Sequence, residues 1–148
     1  MIDGGNIMPN WSKSFETYLQ LSEKQRLGIG LKSNEILVKE IPNLCEEEIL
    51  RPTTYLLALA PFASEDEELS KKEFDFIKEA IGYVDEYQKY LELVKKGKNE
   101  KLAKFFQAYF KKVGGDVFTA YLSLGLAILT IKGEEKEEDV KLIEQIYE

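Results

Sequence analysis

A chain of 148 residues is the size of one domain, and 44% hydrophobic with 32% charged residues is an ordinary soluble, globular balance. It holds no histidine and one cysteine, which excludes Ser-His-Asp and Cys-His catalysis, a zinc site of four N and S ligands, and an internal disulfide. With 20 Lys+Arg against 27 Asp+Glu the net charge is −7, so nucleic acid is a poor general partner.

Residues 1–9 read as a flexible N-terminus. Met1–Met8 lacks the basic start and apolar stretch of a signal peptide. From there on, apolar residues recur at helical spacing and no stretch alternates at period two. Asn10 caps a first helix that carries Trp11, Phe15, Tyr18 and Leu19 on one face. Ser22 and Gln25 form a capping-box pattern, weakened soon after by Gly28 and Gly30. A short helix is expected over Asn34–Ile41, ended by Pro42. Asn43 and Glu46 suggest another capping box, opening a short acidic turn through Leu50. Pro52 suits the first turn of a helix bearing Tyr55, Leu56, Leu57, Leu59 and Phe62.

Ser64–Leu69 is an acidic loop. Ser70 with Glu73 reads as a capping box that opens one long helix to Lys96, bent at Gly82, with Phe74, Ile77, Ile81, Val84, Leu91 and Val94 on its apolar stripe. Tyr83, Tyr87 and Tyr90 would share one face of it, as a rim of the core. Lys95, Lys96 and Gly97 make a helix stop. Asn99 opens a helix with Leu102, Phe105, Phe106, Tyr109 and Phe110, closed by Gly114 and Gly115. Asp116 caps an apolar helix running to Lys132. Its apolar run, Val117–Ile131, falls short of the roughly 20 residues needed to span a bilayer, so it reads as a core helix. A last helix starts near Lys136 and turns Val140, Ile143 and Ile146 inward. The expectation is an all-α domain over residues 10–148, a bundle of about seven or eight helices.

A shift of 66 residues superposes Thr53-Thr54-Tyr55-Leu56 on Thr119-Ala120-Tyr121-Leu122, and Phe74, Phe76 and Ile77 on Val140, Leu142 and Ile143. Each copy, about 52–96 and 116–148, reads as apolar helix, acidic loop, amphipathic helix. The first loop, Ala63-Ser64-Glu65-Asp66-Glu67-Glu68-Leu69-Ser70-Lys71-Lys72-Glu73, resembles the signature of the TerB-like family of tellurite-resistance and stress-associated helical domains. Asp66, Glu68, Leu69, Ser70 and Glu73 match it, and Glu67 replaces its glycine. In the second copy Gly133, Glu134 and Asp139 match, and Lys132 stands in place of the aspartate. The resemblance covers residues 52–148. It implies two related helical halves, acidic loops that bind metal ions, and a role in stress responses and membrane-associated complexes.

Asp66, Glu68 and Glu73 are therefore candidate ligands for a hard cation, Ca2+ or Mg2+, which take carboxylate oxygens. The competing reading is a solvated loop in which Glu73 caps the helix and the other acids favour its positive end; the absence of EF-hand spacing favours it. A second candidate is the basic stretch 89–112, eight lysines against two glutamates, a local +6 in an acidic chain. Lys95, Lys96, Lys98, Lys101, Lys104, Lys111 and Lys112, interleaved with aromatics, suit an anionic membrane surface or an acidic protein partner. The bland alternative is a solvated face over core phenylalanines. The stretch holds no arginine, which argues against base readout. Cys45, beside Glu46, Glu47 and Glu48, is in the wrong setting for a nucleophile. No P-loop or GxGxxG sequence is present. The reading at this level is a non-enzymatic, cytoplasmic binding or adaptor module.

Overall fold

A computed structural model describes residues 11–148. Among them are eight α-helices and no strand: α1 Trp11–Leu19, α2 Glu23–Leu44, α3 Arg51–Leu59, α4 Glu67–Ala80, α5 Tyr87–Gly97, α6 Glu100–Val113, α7 Gly115–Leu129 and α8 Glu137–Tyr147. Short 3-10 turns cover Glu48–Leu50, Ala60–Phe62 and Thr130–Lys132. The all-α expectation holds. The predicted cap at Asn10 lies outside the described residues.

The core forms around α7, whose residues from Ala120 to Leu129 are buried except for Ser123. Its most extensive contact is with α2. Tyr121 is fully buried, stacked on Phe110 at 4.3 Å and edge-on to Phe62 at 5.3 Å, and its hydroxyl donates to the Ala58 carbonyl at 2.7 Å. A buried tyrosine needs such an acceptor. The apolar run of α7 is thus a core helix, as expected.

Three boundaries differ from the sequence reading. First, α2 is one helix of 22 residues. Ser22 and Gln25 do form the capping box, but Gly28 and Gly30 do not interrupt the helix. Gly30 permits close packing on α4: a Cβ there would lie 2.8 Å from the Phe76 ring and 2.9 Å from Ala80 Cβ. Pro42 sits inside the last turn and Asn43 follows within the helix. Asn43 therefore caps nothing, and its amide donates to Glu40. Proline at this point forfeits one backbone bond, while Ile41 remains buried against the core. Arg51 then holds the exit, donating to the carbonyls of Cys45 and Glu46 at 3.0 and 3.1 Å.

Second, the helix expected from Ser70 to Lys96 is two. It breaks because Gly82 and Tyr83 take positive φ, 83° and 67°, a left-handed pair that ends a helix. Tyr83 then lies edge-on to Tyr55, so Tyr83, Tyr87 and Tyr90 do not share a helical face. Third, α4 begins a turn earlier than Ser70. Asp66 is its N-cap, its Oδ1 accepting from Leu69 N–H at 3.0 Å. Asn99 caps α6 as expected, accepting from Leu102 N–H. Asp116 lies in the first turn of α7, whose N-cap is Gly114.

The two halves are visible as helix, 3-10 turn, acidic loop, helix: α3 to α4 and α7 to α8. Their element boundaries and their buried positions repeat at different offsets. The turns begin at Ala60 and Thr130 and the following helices at Glu67 and Glu137, 70 residues apart in both cases. The buried positions repeat instead at the 66-residue shift: Tyr55 and Tyr121, Phe62 and Ile128, Glu73 and Asp139, Ile77 and Ile143, and Ala80 and Ile146 are all buried, so α8 starts one helical turn later than α4 on the same inward face. Lys136 therefore stands at the N-cap of α8, as Asp66 does for α4, but makes no side-chain cap bond.

Candidate functional site

The two acidic loops face each other across an open cleft of about 840 Å³. The first loop supplies Ala63, Ser64, Glu65 and Asp66; the second supplies Lys132, Glu134 and Lys136. The α5–α6 turn adds Lys98 and α8 adds Asp139. Local hydrogen bonding shapes the first loop. Ser64 Oγ accepts from Asp66 N–H at 3.0 Å, and Ser64 N–H donates to Glu73 Oε1 at 2.8 Å. One turn into α4, Ser70 Oγ meets Glu67 O at 3.0 Å and the Tyr87 hydroxyl at 2.5 Å, which ties α4 to α5. Gly133, at φ 81°, ends the second 3-10 turn.

The candidate metal ligands do not converge. Asp66 is spent on its cap and Glu68 is exposed. Glu73 is fully buried behind Ser64. Among the described residues no group of three or more carboxylate or thiol side chains stands together as a metal-binding set. The sequence reading assigned Glu73 to a metal or to the helix cap. It does not cap the helix, which Asp66 does: its carboxylate holds the loop backbone from inside.

The Lys132 and Lys98 ammonium groups in the cleft each have a partner within the chain. Lys132 Nζ lies 2.6 Å from Asp139 Oδ2, both side chains nearly buried. Lys98 Nζ donates to the Ala63 carbonyl at 2.5 Å. Burial pushes the Lys98 ammonium down, opposed by Glu65 and Glu73. Burial also pushes the Glu73 carboxyl up to about 7, against the Ser64 N–H and the two ammonium groups, which favour its ionised form. Its Oε2 and the Tyr90 hydroxyl are both buried with no hydrogen-bond partner among the described residues. An added cation here would face two ammonium groups already placed among the carboxylates.

Sequence reasoning missed this arrangement. Lys98 was assigned to the basic stretch, yet its ammonium turns inward. Lys132 and Asp139 are seven apart on opposite sides of a loop, a spacing that no helical rule pairs. Only the return of α8 along the cleft brings them together.

The basic hairpin divides its residues cleanly. Phe106 and Phe110 are core, at 3% and 1% exposure. Phe105 is 57% exposed. The exposed residues of α6 are Glu100, Lys101, Lys104, Phe105, Ala108, Lys111, Lys112 and Val113. Lys104 pairs with Glu100 at 3.0 Å on the surface. Lys95, Lys96, Lys101, Lys111 and Lys112 make no ion pair among the described residues. Ionic contacts within the chain therefore leave most of this charge free.

No family model matches the chain, and no curated protein or solved structure matches it either.

Proposed function

We propose that the chain is a non-enzymatic binding module, TerB-like in plan, that engages a polyanionic partner through the outward face of α6. One observation carries this reading: four exposed lysines surround an exposed phenylalanine on one helix side, and three of the four have no ion-pair partner. Charge of one sign concentrated on one face of an acidic chain steers that face toward negative surfaces. Two related halves whose loops face one cleft support the TerB-like plan. The non-enzymatic reading draws on Glu73: its carboxyl is pushed close to neutrality, yet no atom of it reaches the cleft, and a general base must touch the proton it takes.

Binding of the full chain to fluorescent polyglutamate tests the proposal. Anisotropy should report a complex at about 0.1 M salt that weakens steeply by about 0.5 M. Replacing Lys101, Lys111 and Lys112 together by Gln should weaken it at least about tenfold, since each interfacial lysine contributes about 1 kcal/mol. Equal binding by the variant, or no complex with the parent chain, would refute it.

A further inference from the structure

We infer that the outward face of α6 docks on an anionic lipid bilayer, with Phe105 entering the interfacial region and the surrounding lysines meeting the headgroups; this rests on the polyanion reading above. Lys101, Phe105, Ala108 and Lys112 follow one another at i, i+4, i+7 and i+11, so they form a single stripe along the helix. Lys104 and Lys111 flank it, and all six side chains are exposed. The 14 residues of α6 make a bar roughly 21 Å long, lying on the surface of the domain.

The composition of the stripe favours lipid over other polyanions. Protein interfaces deplete lysine and enrich arginine and tyrosine, and every cation on this face is a lysine. Sequence-specific nucleic-acid contacts lean on arginine at base edges, and single strands need successive aromatic platforms. Phe105 stands alone here, because Tyr109 is tied back by its hydroxyl to Glu40 and Phe106 and Phe110 are buried. A bilayer asks for less geometry: an apolar wedge, and ammonium groups on flexible stems that reach the headgroup plane. The Phe105 ring touches the Phe106 ring edge-on at 5.5 Å and leaves more than half its surface to solvent. Removing that surface from water is the apolar gain that docking would add to the lysine attraction.

Vesicle flotation of the full chain tests the inference, with polyglutamate anisotropy run beside it. Vesicles of phosphatidylcholine alone should leave the protein behind, and vesicles with about 40 mol % phosphatidylglycerol should carry it upward at about 0.1 M salt. Phe105→Ala should lower the vesicle partition about tenfold, a side chain's worth of apolar burial, and polyglutamate binding by a clearly smaller factor, because a soluble peptide offers the ring no apolar layer to enter. Its melting curve should match the parent's, since Phe105 is not core. Polyglutamate binding without vesicle binding would overturn the lipid inference and leave the polyanion reading standing. Failure of both would remove both. Equal binding to neutral vesicles, or a Phe105→Ala variant that floats like the parent, would also overturn it.

Discussion

Glu73 is where burial and charge contend most directly. Its carboxyl has an ordinary value of 4.5 and is pushed up to about 7 by burial. A carboxyl raised in this way is tolerated by the fold while protonated and opposes the fold once ionised. Stability should therefore fall as pH rises from about 4.5 to about 7, a loss of up to about 3 kcal/mol that persists above that range. Gln keeps a carbonyl oxygen for Ser64 N–H and never ionises. Glu73→Gln should thus raise the melting temperature at pH 8 and leave it near the parent's at pH 5. Calorimetry across that window decides it, and parallel pH profiles would show that the buried carboxyl carries no such penalty. The identity of this residue was legible in the sequence as part of a motif. Its burial was not, because a glutamate three residues after a serine reads first as a capping box. The true cap, Asp66, sits one turn earlier and leaves Glu73 to point inward.

At the scale of elements, α2 shows both the reach and the limit of propensity. Two glycines two residues apart looked alike as weak points. In the fold they differ: nothing lies within 4 Å of a Cβ added at Gly28, whereas one at Gly30 would press on Phe76 and Ala80. Gly28→Ala should stabilise the protein by about 0.5–1 kcal/mol, the usual helical gain over glycine. Gly30→Ala should destabilise it by about 1–2 kcal/mol, because overpacking exceeds that gain. Urea unfolding of the two variants gives opposite shifts if this holds. The break between α4 and α5 carries the same lesson. Gly82 was visible as an interruption within a helical stripe, but the sequence placed a bend where the backbone turns twice to positive φ.

Across the whole molecule, Arg26 does what no local pattern announces. Its guanidinium is buried and joins three helices: from α2 it donates to Ala127 O of α7 and Tyr18 O of α1, each at 2.9 Å, and to Thr130 Oγ1. Positive charge at the carboxyl ends of α1 and α7 also suits their dipoles. Arg26→Met should cost about 3 kcal/mol, since buried acceptors lose a charged donor. A denaturation midpoint unchanged from the parent would mean that water replaces it freely. The hairpin charge also belongs to this scale. Lysine count and spacing marked residues 89–112, but only packing separated Lys98, turned into the cleft, from Lys101, Lys111 and Lys112, turned to solvent.

The sequence by itself determined an all-helical chain, the helices flanking each loop, the caps at Ser22 and Asn99, and the core character of α7. These follow from apolar period and short-range hydrogen bonding, which act within a few residues. Tertiary structure alone decided that α8 starts one turn later than α4, the inward turn of Glu73, the Lys132–Asp139 pair and the exposure of Phe105. A helix begun one turn later buries the same face, so the periodicity cannot fix where it starts. Likewise, whether a side chain meets water or a distant helix depends on contacts that the linear order does not contain.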